Sequence, residues 1–132
     1  MSWRADHVRD LWQRAQEALK VAERDVRDGC PDSAASRAYY AAFYAASALL
    51  LSVGKRPSKH RQVLAAIHRD YVREGKLPLE AGEIISALFY LRGIGDYGGS
   101  EHVALADAGK AVADARRFLE LVRPLLPPEP LP

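Results

Sequence analysis

The segment Pro31–Ser52, PDSAASRAYYAAFYAASALLLS, constrains the fold more than any other part of the chain. Wound at about 3.6 residues per turn, it is apolar on nearly every face, and such a helix has to be enclosed by other elements. Its most apolar stretch, Ala38 to Val53, spans 16 residues and contains two serines and three tyrosines. That is too short and too polar for a membrane span, so it reads as the buried central helix of a larger bundle. Pro31 and Asp32 suit the first turn, where a missing N–H is harmless and an acid meets the positive helix end. Gly54 fits the cap at the other end.

Four further helices are predicted around it. Val8, Leu11, Trp12, Ala15, Ala18, Leu19, Ala22 and Val26 recur at steps of three and four and mark one stripe over Trp3–Arg27. Gly29, Cys30 and Pro31 stop that helix. After a basic turn with Ser58 as N-cap, a helix over Lys59–Glu74 carries Val63, Leu64, Ile67 and Tyr71 on one side. A helix over Leu79–Ile94 turns Ile84, Ile85, Leu88, Phe89 and Leu91 inward, and the glycines at 93, 95, 98 and 99 predict a turn there. The last helix covers Ala104–Leu125. The fold class is all-α, an up-and-down bundle of about five helices over residues 1–126. A Pro-rich tail follows at 127–132.

Composition narrows the function classes. The 132 residues are 48% hydrophobic and 27% charged, which is the balance of a folded globular protein rather than a disordered chain. A single cysteine, Cys30, excludes a disulfide framework and a Cys-based zinc cluster. His7, His60, His68 and His102 lack the i, i+4 pairing of helical zinc motifs, so no metal site is expected and the histidines read as solvated or loosely paired. The charged N-terminus is no secretory signal, and a cytoplasmic protein is expected. The formal net charge is +2, yet Lys55–Lys76 holds seven cations against Asp70 and Glu74. Such a cluster suits phosphate or an acidic partner; its plainer reading is a solvated basic face.

Two groups of residues carry chemistry. Arg92 lies four residues after Leu88 and seven after Ile85, so it continues the apolar stripe. An arginine on an inward face requires a partner, because an unpaired buried charge costs roughly several kcal/mol. Asp96, four residues on, supplies one if the helix reaches that far, and Tyr97 adds a hydroxyl. The arrangement reads either as an ion pair locking a helix end or as a phosphate-binding arginine oriented by a carboxylate. On the central helix Arg37, Tyr40, Tyr44 and Ser47 form a polar-aromatic stripe, either core tyrosines or one wall of a cleft facing Arg92. The run Gly93-Ile94-Gly95-Asp96-Tyr97-Gly98 spells G-x-G-x-x-G but follows a helix, so it reads as a loop and not as a dinucleotide site.

These residues resemble a known family. Ser36–Ala46, SRAYYAAFYAA, is similar to the second-helix signature of HEPN domains, and Leu91–Tyr97, LRGIGDY, to the late Arg-x-x-x-Asp-Tyr motif of their small stand-alone bacterial and archaeal branch. The resemblance covers about Ala5 to Leu125. It implies a helical bundle, a homodimer, and a minimal nucleotidyltransferase partner in a toxin–antitoxin-type pair, with no cofactor. Active members of the family are metal-independent endoribonucleases whose motif is arginine, four to six residues, then histidine. Counted from Arg92, that histidine falls on Tyr97, Gly98 or Gly99, and His102 comes too late. A tyrosine of ordinary pKa, about 10, is a poor base at neutral pH.

The first reading is therefore a module that dimerises and binds nucleotide, RNA or a nucleotidyltransferase partner, through Arg37, Tyr40, Tyr44 and Arg92. The alternative is a divergent endoribonuclease toxin, with Arg92 stabilising phosphate charge and Asp96 or Tyr97 assisting.

Overall fold

A computed structural model describes residues 3–128. Residues 129–132 of the Pro-rich tail lie outside the described residues. Five α-helices follow in order: α1 Trp3–Arg27, α2 Pro31–Ser52, α3 His60–Ile67, α4 Leu79–Tyr97 and α5 Leu105–Val122. No strand occurs among the described residues. The all-α bundle expected from the periodicity is the observed architecture.

The apolar girth of α2 decides where the core sits. Ala34, Ala35, Ala38, Ala41, Ala42, Ala45, Ala46 and Ala48 are buried along its length, and Leu49, Leu50 and Leu51 close its C-terminal end. Alanine removes the side-chain bulk that would hold neighbours away, so α1, α4 and α5 pack closely on three sides of α2. Trp12 of α1 and Phe118 of α5 supply the largest fully buried apolar side chains of the outer helices. Gly54 takes φ +84° after α2, the left-handed conformation of a glycine cap.

Three boundaries differ from the sequence expectation, each for a local reason. The helix expected over Lys59–Glu74 is α-helical only to Ile67 and continues as a π-helical turn, His68–Val72. The Arg73 N–H donates to the His68 carbonyl five residues back, at 2.9 Å. The cap of α3 is Lys59 rather than Ser58. Helix α4 does not stop at Ile94 but runs through Gly93 and Gly95 to Tyr97, so the G-x-G-x-x-G run is helical up to its last glycine, Gly98, which caps the helix, and is not a loop. Glycine weakens a helix without breaking it, and at Gly95 it permits a close approach of two helices. A Cβ there would stand 3.0 Å from the carbonyl oxygen of Asp32, where α4 crosses the start of α2. The last helix ends at Val122 and tightens into a 3-10 turn, Arg123–Leu125, at Pro124, which has no N–H to continue the α pattern.

Asp32 also fixes the chain after α4. Its Oδ1 accepts the Val103 N–H at 2.7 Å, and its Oδ2 lies 2.7 Å from His102 Nδ1. These bonds hold the Asp32 carboxyl below its ordinary pKa, the His102 contact contributing most. Together they bring the end of α4 over the N-terminal half of α2, which is where the candidate site forms.

Candidate functional site

Extension of α4 to Tyr97 places Arg92, Asp96 and Tyr97 on successive turns of one helix. Arg92 Nε donates to Asp96 Oδ2 at 3.1 Å, and Arg92 Nη2 donates to the Tyr97 hydroxyl at 3.3 Å. The Arg92 side chain keeps only 13% of its surface exposed, whereas Tyr97 is 76% exposed. The guanidinium is thus largely covered, with an exposed tyrosine beside it. Its Nη1 makes no hydrogen bond among the described residues and is not sealed from solvent.

The walls of the site are aromatic. Arg92 Cζ lies 5.2 Å from the ring centre of Tyr39, 5.6 Å from Tyr40, 5.9 Å from Phe89 and 5.6 Å from Tyr97. A guanidinium is weakly hydrated and flat, so ring faces can accept it at modest desolvation cost. Burial works against the Arg92 charge, but the Tyr40, Asp96 and Tyr97 oxygens more than offset it and leave the pKa above the ordinary arginine value.

Tyr40 shares its ring with a second cation, for Arg37 Cζ stands 5.0 Å from its centre. Tyr44 lies one ring further on, 5.9 Å from Tyr40. Of the stripe read on α2, Tyr40 therefore meets Arg92, Arg37 reaches it through Tyr40, and Tyr44 borders it. Ser47 lines a different surface groove, with His7, Leu11 and Lys55.

Two residues at the centre of this cluster, Tyr39 and His60, were given no site role by the sequence. Tyr39 is completely buried between α2, α3 and α4. Its hydroxyl lies 2.7 Å from Nδ1 of His60, the first residue of α3. Roughly 20 Å of helix separate Tyr39 from the end of α2, and the link 53–59 is long enough to double back over that distance. His60 is held further by a parallel stack on Phe43, ring centres 4.2 Å apart and planes 12° apart. It lies edge-to-face with Tyr40 at 5.8 Å.

His60 is therefore held more firmly than the solvated or loosely paired histidine expected from its spacing. Burial first, and the Arg92 charge second, push its imidazole below the ordinary pKa. Burial pushes the Tyr39 phenol well up, although Arg92 pulls the other way, so Tyr39 stays a neutral hydroxyl. His60 Nε2 makes no bond among the described residues and is not sealed from solvent. The other histidines behave differently: His68 Nε2 lies 2.9 Å from Ser86 Oγ, His102 meets Asp32, and His7 packs on Trp3.

The basic segment flanks this site unevenly. Asp70 takes up Lys55 at 2.7 Å and Arg69 at 2.8 Å, which holds its carboxyl far below the usual carboxylate range, the Arg69 bond contributing most. Lys59 and Arg61, on either side of His60, are exposed and form no ion pair among the described residues. The result is an arginine with one free edge, exposed tyrosine and arginine surface beside it, and a neutral imidazole on the rings it shares. A free guanidinium edge suits a phosphate, and ring faces suit stacked bases.

Comparison with known proteins agrees with this architecture. The HEPN domain family matches residues 8–125. A protein named "UPF0332 protein" from Thermotoga maritima is 35% identical over 122 residues, 92% of each chain. A second of that name, from Gloeobacter violaceus, is 31% identical over 118 residues, 89% of this chain and 94% of its own. A protein named "Putative toxin MJ0142", from Methanocaldococcus jannaschii, is 28% identical over 116 residues, 88% of this chain and 79% of its own. With the family match spanning α1 to α5 and the Arg92 motif held on α4, the chain belongs to the HEPN domain family.

Proposed function

We propose that this chain is a toxin-type HEPN module that binds RNA, with the Arg92 site as its phosphate-binding centre. The observation that carries the reading is the state of Arg92. Asp96 and Tyr97 hold two of its nitrogens, four rings surround it, and Nη1 is left open. Structural locking of a helix end needs the Asp96 pair alone. An open guanidinium edge beside Tyr40, Tyr97 and Arg37 is what a phosphate with its neighbouring bases requires. Lys59 and Arg61 add exposed positive charge next to the rings. The names of the Methanocaldococcus jannaschii relatives favour a toxin.

The family resemblance adds a cytoplasmic homodimer and a minimal nucleotidyltransferase partner. The outer face of α4 supports a protein contact, since Leu79, Tyr90 and Tyr97 are each at least 70% exposed there. No described helix is long and apolar enough to cross a membrane.

The test is binding of a fluorescent single-stranded RNA to the purified protein, followed by anisotropy, with Arg92→Ala in parallel and helix content checked by circular dichroism. Affinity should fall at least about tenfold in the variant, which corresponds to roughly 1.4 kcal/mol. Equal affinity of the two folded proteins would remove Arg92 from the role.

A further inference from the structure

The family's arginine–histidine spacing finds no histidine here, yet the fold brings one to the site from another helix. His60 and Arg92 are 32 residues apart in sequence and sit against the same two rings, Tyr39 and Tyr40. We propose that His60 is the base of a phosphodiester cleavage at this site, oriented by Tyr39 and paired with the Arg92 cation. The inference rests on the RNA-binding reading above and adds to it the chemical step.

Three features support it. The first is orientation. A catalytic imidazole needs one nitrogen held and the other free. Nδ1 is held by the buried Tyr39 hydroxyl at 2.7 Å, the ring plane is fixed by the Phe43 stack, and Nε2 is open. The second is charge state. The groups facing His60 are Tyr39 and Tyr40 from α2 and Arg92 from α4, with Lys59 and Arg61 beside it on its own segment. None is an anion, so nothing facing it favours an imidazolium in the free protein, and burial reinforces this. The third is the neighbouring cation. Arg92 is positioned to stabilise negative charge that develops on a phosphate during reaction. Substrate phosphate also neutralises the charge that keeps His60 deprotonated, so the imidazolium is better tolerated once RNA is bound.

In the proposed step Nδ1–H donates to Tyr39 Oη and Nε2 takes the proton of a ribose 2′-hydroxyl. The 2′-oxygen forms a bond to the adjacent phosphorus, and the bond from phosphorus to the 5′-oxygen breaks. The leaving oxygen takes a proton from water, and the hydroxide left behind takes the proton from His60. The products are a 2′,3′-cyclic phosphate end and a 5′-hydroxyl end, with no net change in protons and no oxidant or reductant.

The experiment uses the full chain in EDTA with a labelled single-stranded RNA. Affinity and cleavage are measured separately for wild type, His60→Gln and Arg92→Ala. Wild type should cleave and leave 2′,3′-cyclic phosphate ends. His60→Gln should bind within about threefold of wild type and cleave at least about 100-fold more slowly, the ordinary range for losing a general base. RNA carrying a 2′-O-methyl at every ribose should bind and stay intact. Bound RNA that wild type leaves whole overturns the role of His60 while the binding reading stands. Undiminished cleavage by folded His60→Gln overturns it too. Failure of wild type to bind RNA overturns both readings. Should His60→Gln not fold, the wild-type pH–rate profile decides. A kcat/KM profile, which reports the free protein, that falls with acid through one titration below the ordinary histidine range supports His60, and a flat profile there overturns it.

Discussion

The Tyr39 hydroxyl lies 2.7 Å from His60 Nδ1, joining the buried face of α2 to the first residue of α3. Much of the aromatic cluster is built on this pair. Tyr39 also touches Phe43, Phe89 and Arg92, and His60 touches Phe43 and Tyr40. Removing only the hydroxyl isolates the contribution of the bond. Tyr39→Phe keeps the ring contacts and should cost about 1 kcal/mol, the usual net worth of such a bond. Urea unfolding of the two proteins, followed by far-UV circular dichroism, measures it. An unchanged midpoint would mean that the bond contributes nothing to the fold.

His60 also gives stability a pH dependence of defined sign. Burial and Arg92 hold its folded pKa below 6.5, so the unfolded chain binds the proton more readily. Stability from the neutral imidazole is therefore complete above about pH 6.5 and is lost as pH falls through the lower folded value. The melting temperature of wild type should drop between about pH 7.5 and about pH 5, and that of His60→Gln should drop less. Asp32 and Asp70, whose carboxyls are held below their ordinary values, act at lower pH and leave this window clear.

Neighbouring glycines of α4 should respond in opposite directions. A Cβ at Gly93 meets nothing within 4 Å, so Gly93→Ala should stabilise by about 0.5–1 kcal/mol through helix propensity. At Gly95 a Cβ would press on the Asp32 backbone, so the same change should destabilise by about 1 kcal/mol or more despite the propensity gain. Thermal melts of both variants test the pair, and equal shifts would mean that the α2–α4 approach yields easily.

Arg92 should not be replaceable by lysine. Its charge is spread over a plane that lies among four rings while two nitrogens bond Asp96 and Tyr97. A lysine ammonium is a strongly hydrated point charge without that geometry. RNA affinity of Arg92→Lys should fall to within about threefold of Arg92→Ala, or close to a complete loss of the side chain's contribution. Wild-type affinity in Arg92→Lys would show that charge alone suffices.

Half of the site could be read along the chain, because it is written at helical spacing. Arg92 continues the Ile85–Leu88 stripe, and Asp96 is its i+4 neighbour, so the pair follows once α4 extends far enough. The glycines argued for an earlier stop. They misled because glycine also serves close packing, and the crossing of α4 over Asp32 is a contact between segments some sixty residues apart. Tyr40 and Arg37 were legible as a stripe for the same reason as Arg92. Tyr39, one residue along, pointed to the core and carried no polar periodicity to mark it.

What the sequence by itself determined is what repeats over a few turns: the helices, the enclosed α2, the Arg92–Asp96 pair, and the two motifs that place the chain among HEPN domains. Only the tertiary structure decided that His60 joins the site. Its neighbours in sequence are a basic turn, and its neighbours in space are Tyr39, Tyr40 and Phe43. That placement depends on how the link 53–59 returns along α2, and periodicity holds no information about the path of a link. A histidine's chemistry is set by the charges and rings packed against it, so its role could be read only after the helices had been brought together.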